Sequence, residues 1–248
     1  MDMKTCEKID NVGTKAQNKR IGELDFLRGI ALLLMTYFHV IFDLSEIYGY
    51  DVDYTSGFNY FTGKAAGILF ILISGISCNL SRSNWKRALK ILAVAMGITV
   101  VTHIYSYVYN VEMGIKFGIL HFLGLSILMY PVFKRLNNVL LTIIGTVIII
   151  LGEYVKKLKP GFDYFFIFGI ISERFVSSDY YPLVPWLGVF IYGVVLGKLL
   201  YKDKKSYLKY NINGNIINWL GRNTLLIYII HQPLILAVIE LIKLFANN

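Results

Sequence analysis

The stretch that decides the fold is LDFLRGIALLLMTYFHVIFDL, residues 24–44. It is long and apolar enough to cross a bilayer, since a transmembrane helix needs about 20 mostly apolar residues. The same stretch nevertheless carries four ionisable side chains, which are Asp25, Arg28, His39 and Asp43. Such side chains are costly inside a membrane and usually mark a functional site. The segment therefore indicates a membrane protein and the place where its chemistry lies.

The composition of the whole chain supports the membrane class. Of its 248 residues 56% are hydrophobic, and the mean hydropathy is +0.56. A formal net charge of +9 would suit nucleic-acid binding, but Lys and Arg also gather in the cytoplasmic loops of membrane proteins. We therefore expect a lipid bilayer and no nucleic acid as partner. Two cysteines and four scattered histidines favour neither a disulfide framework nor a metal site.

Further apolar runs predict the remaining helices. The predicted spans are 24–44, 60–80, 88–108, 115–133, 138–153, 183–201 and 223–244. The apolar run 162–171 is about half as long as a span, so we predict a re-entrant or interfacial segment there. The expected fold class is all-α: a polytopic integral membrane helical bundle of about seven transmembrane helices. A polar cytoplasmic tail at 1–20 would precede one domain at 21–245.

The charges of the connections predict the orientation. Basic residues concentrate before the first span and in the connections after the second, fourth and sixth spans, which places all four regions in the cytoplasm. The first connection is acidic and would lie outside. These assignments alternate only if 162–171 does not cross, and the basic run at 156–159 then lies outside, against the usual charge rule.

The four ionisable residues of the first span form two pairs. Asp25 and Arg28 are three residues apart, so they share a helix face near the inner surface. His39 and Asp43 share a face near the outer end, where the carboxylate can fix the imidazole tautomer and support its positive form. A snorkelling arginine beside its ion-pair partner, and a packed histidine beside a boundary aspartate, are the structural alternatives.

The other histidines lie in later spans. His103 and His121 fall near the outer ends of the third and fourth spans, so they could line one outward-facing cavity with His39. His231 lies beside Pro233, which should bend the last helix. The alternative role for His231 is a hydrogen bond to a carbonyl that this proline frees.

Several arginines on the inner side could bind the phosphates of a nucleotide cofactor. Arg28, Arg82 and Arg222 are the candidates, although membrane topology alone also explains basic residues there. The phosphate-binding patterns GxxxxGK[ST] and GxGxxG are absent from the sequence.

Five segments carry a resemblance to a known family. They are RIGELDFLRGIALLLMTYFHVIFDL (20–44), FILISGISCNLSRS (70–83), FGILHFLGLSILMYP (117–131), DYYPLVPWLGVFIYGVVLGKLLY (179–201) and LGRNTLLIYIIHQPLIL (220–236). In this order they resemble the heparan-α-glucosaminide N-acetyltransferase catalytic-domain family, particularly its small bacterial members. The first segment is also similar to the LDxLRGxA…H start of the broader membrane acyltransferase group.

The resemblance implies a transmembrane acyltransferase in a bacterial plasma membrane, and the loop charges place its N-terminus in the cytoplasm. Cytoplasmic acetyl-CoA would be the donor, and an amino or hydroxyl group of a sugar or envelope glycan outside would be the acceptor. His39 would be the general base and Asp43 would orient it. His121, chosen because it lies at a similar depth to His39, is the next catalytic candidate. An acetyl-histidine intermediate is the variant mechanism.

The spacing of the first span fits this interpretation. Arg28, Arg82 and Arg222, together with Asp25, would form the cofactor-binding group. The rise from Arg28 to His39 is about 16 Å along a helix, a length comparable to an extended pantetheine arm. A transporter or permease, and a non-catalytic scaffold of an envelope complex, are the alternative functions. The sequence leaves a homodimer open.

Overall fold

A computed structural model describes residues 21–206 and 215–246, so the tail predicted at 1–20 lies outside the described residues. The helices are α1 (Gly22–Glu46), α2 (Gly57–Leu80), α3 (Asn84–Tyr109), α4 (Ile119–Arg135), α5 (Asn138–Val155), α6 (Leu183–Leu200), α7 (Ile216–Arg222) and α8 (Thr224–Ala246). Within these ranges no strand forms, and one isolated bridge joins Phe117 to Tyr180. The all-α prediction is confirmed.

Six of the described helices are long and apolar enough to cross a membrane: α1, α2, α3, α5, α6 and α8. They indicate an integral membrane protein. The fourth predicted span is shorter than expected, because extended backbone at Gly118 delays the start of α4 to Ile119. Its 17 residues rise about 26 Å, slightly less than the hydrocarbon core of a typical bilayer.

The short apolar run at 162–171 forms no spanning helix, as predicted. It contains a single 3-10 turn, Phe166–Phe168, which ends at Gly169 with a φ of 97°. Such a positive φ favours glycine and stops the turn from continuing as a helix.

The centre of the bundle is the contact between α2 and α6. The apolar window of α2 is 61% buried, whereas that of α3 is 6% buried and faces outward. Glycines allow the two central backbones to touch, since a Cβ at Gly193 would overlap the carbonyl oxygen of Leu72. Small residues serve this purpose in membrane helix packing, where close backbone approach provides van der Waals contact.

The short helix α7 lies directly against the beginning of α1. A Cβ at Gly29 would overlap the carbonyl oxygen of Ile217, and a Cβ at Gly221 would overlap that of Asp25. The Asn218 side chain donates a hydrogen bond to the Gly22 carbonyl at 3.1 Å. This contact brings the end of α7 next to the first turns of α1.

At the opposite end of the bundle, the segment before α6 closes over the start of α4. The Tyr181 N–H donates to the Phe117 carbonyl at 3.0 Å. The Asp179 carboxylate accepts the Ile119 N–H at 2.9 Å. A carboxylate is favourable there, because a helix N-terminus carries partial positive charge.

The glycine contact at the centre of the bundle predicts a stability difference. We expect Gly193→Ala to lower the free energy of unfolding by about 1–3 kcal/mol, the usual cost of overpacking. Gly97→Ala on α3 is the matched control, because nothing lies within 4 Å of a Cβ at that position. Thermal unfolding in detergent measures both, and equal midpoints for the two variants would contradict the packing.

Candidate active site

A basic cavity of about 470 Å³ opens where the beginning of α1 meets α7 and the end of α2. Its charged lining residues are Asp25, Arg28, Arg82, Arg87, Lys204 and Arg222. All four residues predicted for cofactor binding are therefore brought together in one place. Five bases against one carboxylate make the cavity suitable for an anionic ligand.

Arg28 is held in position at the wall of the cavity. Its Nη1 forms an ion pair with Asp25 Oδ1 at 2.6 Å, as the spacing of the two residues predicts. Its Nη2 donates to the Ser77 hydroxyl of α2. Asp25 is itself buried, so the pair shields a carboxylate that would be costly to desolvate alone.

Arg87 and Lys204 also line the cavity, although they were not among the predicted site residues. Arg87 belongs to the same basic run as Arg82, whose charges could bind phosphates, although topology alone also explains that run. The Arg87 guanidinium donates to the Ser74 hydroxyl at 2.7 Å, which fixes the start of α3 to α2. The two serines that hold Arg28 and Arg87 both belong to the apolar segment FILISGISCNLSRS. Their small polar side chains in that apolar run were the only sequence signal for these contacts.

His39 lies near the other end of α1, about 16 Å along the helix from Arg28. Its Nδ1 is 2.9 Å from the Met35 carbonyl oxygen. Because a carbonyl only accepts, the hydrogen of the neutral ring is on Nδ1, and Nε2 carries a lone pair. The tautomer leaves His39 able to accept a proton at Nε2.

The ring beside His39 belongs to His231 of α8. The two ring centroids are 4.8 Å apart, and the ring planes are at 86°. The His231 Nδ1 donates to the Tyr228 carbonyl at 2.6 Å. That carbonyl is not the one Pro233 frees, which is four residues before the proline at Ile229. The alternative role predicted for His231 is therefore wrong about the carbonyl that the ring binds.

Asp43 does not hydrogen-bond to His39, in contrast to the predicted orienting contact. Its fully buried carboxylate accepts two bonds from Gln232 Nε2, at 2.7 and 2.8 Å. The tautomer of His39 is set by Met35 instead. Asp43 still lies within electrostatic reach of His39, and its direct effect is to fasten α8 to α1.

His121 does not join His39, and its ring makes structural contacts. The Gly118 N–H donates to His121 Nδ1 at 3.3 Å. The Thr99 hydroxyl gives its hydrogen to the Ile115 carbonyl, so His121 Nε2 donates to the Thr99 oxygen at 3.2 Å. One nitrogen thus caps the start of α4 and the other holds α4 to α3, so His121 is a poor candidate for a base.

His103 is also separate from His39. It is exposed on α3, where its Nδ1 lies 2.9 Å from the Thr99 carbonyl. His103 and His121 thus both bind Thr99 of α3, whereas the ring packed against His39 is that of His231.

Asp179 is the carboxylate that the sequence analysis missed. It accepts a hydrogen bond from the Tyr228 hydroxyl at 3.3 Å and lies within electrostatic reach of His39. Burial raises the pKa of the Asp179 carboxyl, while the Ile119 N–H and the His39 charge oppose the rise. Its signal in the sequence was its position at the start of the segment 179–201, between two elements rather than inside a span.

A family model described as heparan-α-glucosaminide N-acetyltransferase, catalytic, matches residues 20–233. The chain belongs to this family. Membership confirms the predicted resemblance and implies a transmembrane acetyltransferase. No curated protein and no solved structure matches the chain.

Within the residues that the structure describes, no three His, Cys, Asp or Glu side chains cluster as a metal ion would require.

The contact between Asp43 and Gln232 predicts a non-additive pair of substitutions. Gln232→Met keeps the volume but leaves a buried carboxylate without its donor, so we expect a loss of unfolding free energy of at least about 1–3 kcal/mol. Asp43→Leu combined with Gln232→Met should recover much of that loss, because both polar groups are then gone. Unfolding of the single and double variants in detergent measures the coupling, and simple addition of the two losses would contradict the contact.

Proposed function

We propose that this chain transfers an acetyl or related acyl group from acyl-CoA to an amino or hydroxyl group of a sugar or envelope glycan. The observation that carries the proposal is that one helix, α1, joins the two parts of the reaction. Its first turns line the basic cavity through Arg28, and its far end presents the lone pair of His39.

The basic cavity supports an acyl-CoA donor. Guanidinium groups bind phosphate oxygens through paired hydrogen bonds, and CoA carries several phosphates. Arg28 and Arg87 are held by hydroxyls of α2, so their guanidiniums are already oriented before a ligand arrives. Asp25 acts in this proposal by fixing Arg28 rather than by touching the donor.

The length of α1 supports transfer toward the other end of the bundle. The rise from Arg28 to His39 is about 16 Å, and an extended pantetheine arm spans a comparable distance. With phosphates in the basic cavity, the thioester would reach the neighbourhood of His39. The proposed donor side is the cytoplasm of a bacterium, because the cavity lies at the end where the basic connections gather.

The chemistry of the His39 neighbourhood suits general-base catalysis. Its Nε2 would remove the proton of the acceptor amine or hydroxyl as this group attacks the thioester carbon, and CoA would leave as the thiol. Asp43 and Asp179 would stabilise the positive imidazole electrostatically, as a carboxylate does in a catalytic triad. A variant in which Nε2 itself carries the acetyl group uses the same lone pair.

The donor site predicts which arginines affect binding. We expect Arg28→Ala and Arg222→Ala each to weaken CoA binding to purified protein, and the wild-type affinity to fall with added salt. Arg135→Ala is the matched control, because this arginine ends α4 without lining the cavity. Isothermal titration measures the affinities. Unchanged affinity in both cavity variants would contradict the donor site.

The transfer site predicts the effect of removing the base. We expect His39→Ala to lower acyl transfer by roughly 10²- to 10⁴-fold while CoA affinity stays near that of the wild type. Protein in vesicles, incubated with labelled acetyl-CoA and amino-sugar or hydroxyl acceptors, provides the measurement. A transporter or a scaffold would release no CoA thiol, and a folded His39→Ala protein with near-normal transfer would contradict the role of this residue.

A further inference from the structure

The rings of His39 and His231 lie close together and also share the same hydrogen-bonding arrangement. Each ring gives its Nδ1 hydrogen to a backbone carbonyl one turn earlier in its own helix, at 2.9 Å for His39 and 2.6 Å for His231. A neutral imidazole has only one such hydrogen, so both Nε2 atoms carry lone pairs. Two rings that each carry a lone pair on Nε2 thus pack against each other, on helices from opposite ends of the sequence.

The second nitrogen of His231 is one of five buried side-chain nitrogen or oxygen atoms without a hydrogen-bond partner among the described residues, and the only imidazole nitrogen among them. His231 Nε2 is buried and makes no hydrogen bond. Buried polar atoms without a partner are rare in proteins and need an explanation. His121 shows the contrasting case in this chain, because both of its nitrogens hold structural contacts. A purely structural role does not explain why His231 leaves one nitrogen without a partner.

We propose that His231 is a positioning residue of the proton step, and that it and His39 together hold the one proton released during acyl transfer. This inference rests on the proposed function. As the acceptor's oxygen or nitrogen bonds to the thioester carbon, its proton moves to His39 Nε2. The adjacent lone pair of His231 stabilises that proton. When the carbon–sulfur bond breaks, the proton passes to the thiolate, giving the acylated acceptor and CoA thiol.

The charges around the pair favour one proton and disfavour two. Asp43 on α1 and Asp179 before α6 both lie within electrostatic reach of His39, and the Tyr228 hydroxyl is bound to Asp179. These carboxylates support one positive ring. Two positive rings with centroids 4.8 Å apart would repel each other strongly. The pair therefore holds a single proton more readily than two.

A double-mutant cycle tests the proposal. His231→Phe keeps a ring but removes the lone pair, and we expect kcat to fall by about 10- to 100-fold, as for loss of a hydrogen bond to a charged group. KM for acyl-CoA should be unchanged. In a His39→Ala background, His231→Phe should cause no further loss, because His231 acts through His39.

The pH profile provides a second readout. His231 stabilises the protonated form of His39, so its removal should move the acidic limb of kcat/KM to lower pH. His231→Gln retains an acceptor oxygen and should restore part of the activity and of the limb's position. His103→Phe is the control, since that ring also binds a carbonyl one turn earlier but is exposed on α3.

The outcomes separate the possibilities. If His231→Phe lowers kcat equally with and without His39, the pairing is overturned. An acidic limb that does not move in either His231 variant would overturn it as well, and acyl transfer would still be established in both cases. If His231→Phe does not fold, the cycle with His231→Ala, which also removes the lone pair, decides in the same way. Absence of transfer by the wild type would overturn the proposed function and, with it, this inference.

Discussion

The arrangement of this molecule depends on the cost of placing charged side chains inside an apolar helix. An isolated charge in such surroundings is strongly unfavourable unless a partner compensates it. On α1, Arg28 is compensated by Asp25 and by a serine of α2, and Asp43 is compensated by Gln232 of α8. Helices α2 and α8 must therefore meet α1 at defined positions along its axis. The close glycine contacts with α7 complete the group around the same helix.

The two ends of α1 consequently have different chemistry while remaining parts of one rigid element. One end presents oriented guanidiniums, and the other presents two imidazole lone pairs near two carboxylates. Sites built on helices hold their geometry better than sites built on loops. An acyltransferase that receives its donor on one side of a membrane and its acceptor on the other needs this separation, because the two substrates approach from different aqueous phases.

The sequence was informative where contacts are local and uninformative where they are distant. The Asp25–Arg28 pair follows from helix spacing, and the apolar runs locate the helices. The partner of Asp43 lies 189 residues away, so no local pattern indicates it, and the predicted contact with His39 was wrong. His121 was chosen for its depth alone, whereas its Thr99 contact depends on how α3 packs on α4. Arginines Arg82 and Arg222 were selected by charge, and the structure places both in the cavity.

The central claim is that α1 spans the distance between donor phosphates and the reacting thioester. A cryo-electron microscopy structure with a non-hydrolysable acetyl-CoA analogue tests it most directly. We expect the phosphates to contact Arg28 and its neighbouring bases, the pantetheine arm to follow α1, and the thioester carbonyl to lie beside His39 Nε2. An analogue bound with its phosphates outside the basic cavity, or with its acetyl end directed away from His39, would contradict the account.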